Sequence, residues 1–206
     1  LMGGGGDDRY LVDSVSELVV ETAQADGNAD LVQASISYTL GNFLENLTLV
    51  GNANINATGN NLDNTLVGNS GDNMINGGLG ADLMAGGDGN DSYSVDNIGD
   101  VVVEDLASNT GVDSVASSVD YVLAINLENL TLTGTANING AGNLLDNTLT
   151  GNSANNVLDG GLGAAKPARR SIVQANIKGL VDRLELSQAK AMMPLYEAIS
   201  NAVDAI

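Results

Sequence analysis

The stretch GNNLDNTLV GNSGDNMIN GGLGADLMA GGDGNDSYS, residues 59–94, is four nonapeptides in unbroken register. Each fits, more or less fully, the pattern GGxGxDxUx, in which U is a large apolar residue. Leu66, Ile75, Met84 and Tyr93 occupy U, and Asp82 and Asp91 stand at the sixth place of the last two copies. Glycine adopts positive φ freely, so the glycine-rich half of each copy reads as a tight turn. The remainder, xUx, reads as a three-residue strand that sends one apolar side chain into a narrow core.

A longer period surrounds this block. Gly3-Gly4 recurs as Gly86-Gly87, Tyr10 as Tyr93, Tyr38 as Tyr121 and Glu45-Asn46-Leu47 as Glu128-Asn129-Leu130, always 83 positions on. More than half of the aligned residues are identical without a gap, so a unit has been duplicated and a solenoid is expected. A flexible glycine and serine linker has no reason to keep such register. Alternating Leu47 and Leu49, then Leu130 and Leu132, extend the strand pattern outside the nonapeptides. Asn54, Asn56, Asn137 and Asn139 read as side-chain ladders.

Composition points the same way. The 206 residues include one Phe, no Trp and 26 Gly, which argues against an aromatic-filled core. Formal charge is -19, and Arg9 is the one basic residue before Ala164. Such a surface repels nucleic-acid phosphates and anionic lipid and attracts cations, although acidity also serves solubility alone. With no Cys and no His, thiolate and imidazole ligands are excluded, and hard oxygen donors make calcium the natural candidate. No apolar run is long enough to span a membrane, and no basic-then-apolar leader is visible; the sequence opens at Leu1, inside a repeat.

Residues 1–164 resemble the haemolysin-type calcium-binding repeats of secreted bacterial RTX toxins, proteases and adhesins. The resemblance implies an all-β, right-handed parallel β-roll or β-solenoid in which each nonapeptide is half a coil. Loops eighteen residues apart then stack on one edge, with calcium held between them. Carried over residue by residue, Gly77, Gly78, Gly80 and Asp82 match one metal loop, and Gly86, Gly87, Gly89 and Asp91 the next. Eighteen residues away lie Asp100 and Asn73, which could complete the coordination shells. Gly3, Gly4, Gly6 and Asp8 also match, but the loop that should stack before them is not in the sequence, so a weaker site is expected there. In the second copy Ala154 replaces a turn glycine, Asn156 offers a neutral amide, and Ala165 stands where the duplicate of Asp82 belongs.

Beyond Lys166 the sequence changes class and becomes slightly basic. Ile172, Val173, Ile177, Leu180, Val181 and Leu184 follow helical spacing, and Pro194 suits the first turn of a further helix. Glu197 and Asn201 within LYEAISNAVDAI resemble the first motif of the GHKL ATPases, the superfamily of gyrase, chaperone and histidine-kinase ATP-binding domains. That resemblance would make Glu197 the activator of water and Asn201 a magnesium ligand. The later nucleotide-holding motifs do not follow, so the pair is vestigial and no catalysis is expected. The expectation is thus a calcium-binding solenoid over 1–164, built of two 83-residue units with the second incomplete, followed by a short helical tail over 165–206. A junction between parts of two genes near Ala165 accounts for the change. The module would be extracellular and fold when calcium binds, although no export signal is visible. An ATP-binding fragment fused to repeats, or a passive adhesin spacer, are the alternatives; calcium is the expected partner, and protein partners stay open.

Overall fold

The computed structural model describes residues 1–21, 29–104, 111–161, 163 and the backbone of 173–174. These residues hold short strands and no helix. In chain order the strands are β1 (Arg9–Val12), β2 (Leu31–Ala34), β3 (Tyr38–Thr39), β4 (Asn46–Leu49), β5 (Ala57–Thr58) and β6 (Thr65–Val67). Next come β7 (Met74–Asn76), β8 (Leu83–Ala85), β9 (Ser92–Val95), β10 (Val101–Val103), β11 (Ser114–Ser117) and β12 (Tyr121–Val122). The last are β13 (Asn129–Leu132), β14 (Gly140–Ala141), β15 (Thr148–Thr150), β16 (Leu158–Asp159) and β17 (Val173–Gln174). All their pairings are parallel.

One wall is formed by β1, β2, β4, β6, β8 and β10, and a second by β3, β5, β7, β9, β11, β13, β15 and β17. A third sheet holds β12, β14 and β16. The result is a parallel β-solenoid of about eight turns. Its strands are short, two to four residues, and the three- and four-residue ones send one or two side chains inward before the chain turns. On the first wall those side chains form the ladder Tyr10, Val32, Leu47, Leu66, Met84 and Val102, each in register with the next. Ile75, Tyr93, Val115, Leu130 and Leu149 form the matching ladder on the second. Both ladders are buried and meet in a core one residue deep from each wall.

The duplicated unit does not return to its own wall. Strands β1, β2, β4 and β6 lie on the first wall, whereas β9, β11, β13 and β15, their copies 83 residues on, lie on the second. Consecutive half-turns alternate between walls, so a period holding an odd number of half-turns exchanges them. The connecting segments also continue the solenoid as parallel strands, as their alternation suggests. Asn54 and Asn56 accept the N–H groups of Asp72 and Met74, each at 3.0 Å. Asn137 and Asn139 accept those of Asn155 at 3.1 Å and Val157 at 2.8 Å. These asparagines are therefore rungs joining one turn to the next.

The expected helical tail falls outside the described residues, with one exception. Val173 and Gln174 pair in parallel with Leu149 and Thr150, so at these two positions the backbone extends the second wall and does not form a helix. The exposed edge of β15 offers unpaired N–H and C=O groups, which an extended segment satisfies and a helix does not. Among the described residues no helix is long and apolar enough to cross a membrane.

Core depth sets a direct test. Leu66 is fully buried while its neighbour Val67, pointing the other way, is 37 % exposed. In urea unfolding with calcium present, Leu66→Ala is expected to cost about 2–5 kcal/mol and Val67→Ala less than about 0.5 kcal/mol. Comparable losses would mean that the inward register is wrong.

Candidate metal centre

The glycine turns have the backbone that their sequence calls for. Gly78 and Gly80 take φ values of 88° and 126°, and Gly87 and Gly89 take 98° and 118°. These angles bring each loop against the one before it in the stack. A Cβ on Gly78 would lie 2.3 Å from the Asn60 carbonyl oxygen, and one on Gly80 would lie 2.5 Å from that of Leu62. Carbonyl oxygens thus line the space between successive loops. Gly4 and Gly6 share the left-handed backbone, at 110° and 105°, but nothing lies within 4 Å of the same point. Among the described residues no loop lies against them.

The first glycine of each loop makes room for a carboxylate. A Cβ on Gly77 would lie 2.0 Å from Asp82 Oδ2, and one on Gly86 would lie 2.1 Å from Asp91 Oδ2. Asp82 Oδ1 accepts the N–H of Asn64 at 2.8 Å, and Asp91 Oδ1 accepts that of Asn73 at 2.8 Å. Their second oxygens are buried and have no hydrogen-bond partner. Both aspartates are 1 % exposed. Burial pushes the carboxyl groups of Asp82 and Asp91 up to about 6, against the pull of the backbone N–H bonds and helped by neighbouring acids.

Asp100 and Asn73 lie where their eighteen-residue spacing placed them, next to Asp82 and Asp91 in the two stacks, but both are already engaged. Asp100 Oδ1 accepts the N–H of Asp82 at 3.0 Å, and its Oδ2 accepts those of Asp96 and Asn97 at 3.0 and 3.1 Å. Asn73 Oδ1 accepts the N–H of Asn69 at 2.9 Å, while Nδ2 donates to Ile55 O at 2.7 Å and to Asn69 Oδ1 at 3.0 Å. In the second copy Asn156 Nδ2 donates to Ile138 O at 2.6 Å, and its Oδ1 is buried without a partner beside Gly151. Glu197, Asn201 and Ala165 lie outside the described residues.

Two further acids, Glu104 and Asp113, join these stacks, and the nonapeptide pattern does not point to them. Asp91, Glu104 and Asp113 bring one carboxylate oxygen each within 4.8 Å of one another, and all three are buried. Asp8, Glu21 and Asp30 repeat the arrangement 83 residues earlier, so Asp8 has acidic neighbours despite its uncovered glycines. The N–H of Asp91 donates to Asp113 Oδ1 at 2.8 Å, and that of Asp8 to Asp30 Oδ1 at 2.8 Å. Tyr93 and Tyr10 donate their hydroxyls to Glu104 and Glu21. Burial, outweighing the Tyr93 bond, pushes Glu104 up to about 7 and also raises Asp113. Asp113 lies twenty-two residues beyond Asp91 and so escapes an eighteen-residue count. The recurrence of Asp30, Glu21 and Glu45 as Asp113, Glu104 and Glu128 was the available signal.

A hard cation fits this donor set. Every side-chain and backbone donor described is oxygen, the positions are partly fixed by backbone bonds, and buried carboxylate oxygens lack partners. Comparison with known families gives the same direction. The family model of the RTX calcium-binding nonapeptide repeat matches four copies, over residues 58–93 and 141–164. No curated protein and no solved structure matched the sequence. Glycine turns, buried aspartates and the matched repeats agree: within a parallel β-solenoid, residues 58–93 and 141–164 are similar to RTX calcium-binding nonapeptide repeats of the haemolysin type.

Proposed function

We propose that residues 1–164 are a structural module, without catalysis, that folds as calcium binds outside the cell. The observation that carries this reading is the pair of buried, unpartnered carboxylate oxygens on Asp82 and Asp91, each seated in a complete glycine turn. Asp82 and Asp91 would supply the charge, and the carbonyls against Gly78, Gly80, Gly87 and Gly89 the neutral donors. Asn73 and Asp100 would hold the adjoining loops in register. The loop of Gly3, Gly4, Gly6 and Asp8 would be a weaker site, with its glycines uncovered. Bound calcium would supply the positive charge that offsets carboxylates crowded in a dry stack.

Extracellular function follows from availability. Sites of the extracellular class have dissociation constants of about 0.1–1 mM, and calcium at tenfold excess adds roughly 1.4 kcal/mol per site. Inside a cell, where calcium is scarce, the acidic repeats would lack that support. The division between a solenoid over 1–164 and a tail of different origin over 165–206 belongs to the same proposal, resting on the change of charge and pattern at the boundary.

Isothermal titration of calcium into single variants tests the assignment. Asp82→Ala and Asp91→Ala are each expected to remove a large share of the calcium uptake, because affinity follows ligand charge. Asn156→Ala is expected to leave uptake unchanged. Equal losses from Asn156→Ala and Asp91→Ala would shift the sites into the second copy and overturn the assignment.

A further inference from the structure

The three-carboxylate cluster reaches beyond the nonapeptide pattern, which supplies Asp91 but assigns nothing to Glu104 or Asp113. Asp91 and Asp113 directly precede β9 and β11 on the second wall, while Glu104 directly follows β10 on the first. The three therefore meet at the corner where the chain passes between walls. Asp91 is 1 %, Asp113 2 % and Glu104 5 % exposed. Asp91 Oδ2 has no partner, and it points into the group. It lies 2.1 Å, and the Tyr93 hydroxyl 2.2 Å, from the position a Cβ on Gly86 would take, and that hydroxyl is the donor to Glu104.

Among the described residues no basic side chain is seen to neutralise this corner. Among the described residues the one basic side chain is Arg9, which is exposed and bonds Gln33 at 3.1 Å. Three carboxylates in a dry site, without a counter-charge, would be strongly unfavourable as anions. The same group of tyrosine, glutamate and two aspartates is preserved in the duplicate as Tyr10, Glu21, Asp8 and Asp30, with the same tyrosine to glutamate and backbone to aspartate bonds. Recurrence of the whole geometry is more than a scatter of acids would give.

We infer that Asp91, Glu104 and Asp113 form a second type of divalent-cation site, made by carboxylates at the wall-to-wall corner, and that Asp8, Glu21 and Asp30 form its copy. The inference rests on the reading that the repeats take up calcium, and it adds ligands and a location which that reading does not contain. Oxygen donors alone, with three negative charges, suit calcium and its trivalent analogue terbium. Tyr93 lies beside Glu104 and would act as the light-absorbing antenna for terbium bound there.

The test is tyrosine-sensitised terbium luminescence of the full chain, carried in a Tyr10→Phe background to silence the copy. Emission is expected to rise on terbium addition and to fall when calcium competes. Tyr93→Phe is expected to reduce it several-fold while equilibrium dialysis still finds the terbium bound. Glu104→Gln, which keeps an acceptor for the Tyr93 hydroxyl but removes charge, is expected to weaken terbium binding at least tenfold at this site. Asp82→Asn, on the other wall, is expected to leave the Tyr93-sensitised emission in place. Emission and affinity unchanged by both Tyr93→Phe and Glu104→Gln would overturn the corner site, and if Asp82→Asn still lowered calcium uptake, the nonapeptide reading would stand without it. Absence of any calcium or terbium binding would overturn both.

Discussion

With calcium in the millimolar range at neutral pH, the chain is expected to give a β-type far-ultraviolet circular dichroism spectrum that a chelator largely abolishes. Acidifying the chelated protein to about pH 5 is then expected to restore part of the signal. The sign follows from buried carboxylates whose folded values are raised: Asp82 and Asp91 to about 6 and Glu104 to about 7. In an unfolded chain the same groups titrate near about 4. Between those values the folded state binds more protons than the unfolded one, so the metal-free solenoid loses stability as pH rises from about 4 to about 7. Above about pH 7 the penalty is complete, and below about pH 4 these groups contribute none. Holding one buried carboxyl at about 6 where the unfolded chain has about 4 costs roughly 3 kcal/mol once it ionises, and domains are stable by only about 5–15 kcal/mol. A few uncompensated carboxylates are therefore enough to decide folding, and bound calcium would remove the same penalty without the acid. Identical spectra with calcium and with chelator at neutral pH would defeat the switch, and a further loss of signal on mild acidification would defeat its electrostatic cause.

The second large effect concerns loop stacking. Gly80→Ala is expected to lower stability in saturating calcium by about 2–5 kcal/mol, read from the urea midpoint, whereas Gly134→Ala is expected to lower it by about 1 kcal/mol. Both residues have positive φ, 126° and 71°, so both substitutions strain the backbone. The difference is space. A Cβ on Gly80 would lie 2.5 Å from Leu62 O and 2.8 Å from Leu62 C, backbone atoms of the preceding stacked loop, while nothing lies within 4 Å of the point above Gly134. Forcing the loops apart would also displace the Leu62 carbonyl that lies against Gly80, one of the proposed neutral donors, so calcium affinity should fall with stability. Equal effects from the two alanines would mean that the loops are not packed against one another.

The solenoid was legible because its information is local and periodic. Leu66, Ile75, Met84 and Tyr93, placed at the apolar position by counting alone, are all buried in register with their neighbours. Gly78, Gly80, Gly87 and Gly89 have the left-handed backbone that their places in the nonapeptide require. Asn54, Asn56, Asn137 and Asn139 were readable as rungs for the same reason, since a side chain repeated at one position of a coil meets the same backbone group on the next turn. By contrast, the helical spacing around Val173 misled at Val173–Gln174, where pairing with β15 competes with helical periodicity.

The sequence alone thus determined the coil and its inward residues, the turn glycines and the two best-matched aspartates, because a nonapeptide dictates the direction of every side chain within its own half-turn. Tertiary structure decided which acids share a site. Asp91 meets Asp113 across twenty-two residues and Glu104 from the opposite wall, and the 83-residue copy lies on the other wall from its parent. These outcomes depend on the lengths of the individual turns summed along the coil, and on which oxygens the backbone leaves without partners. Neither is a property of any single repeat.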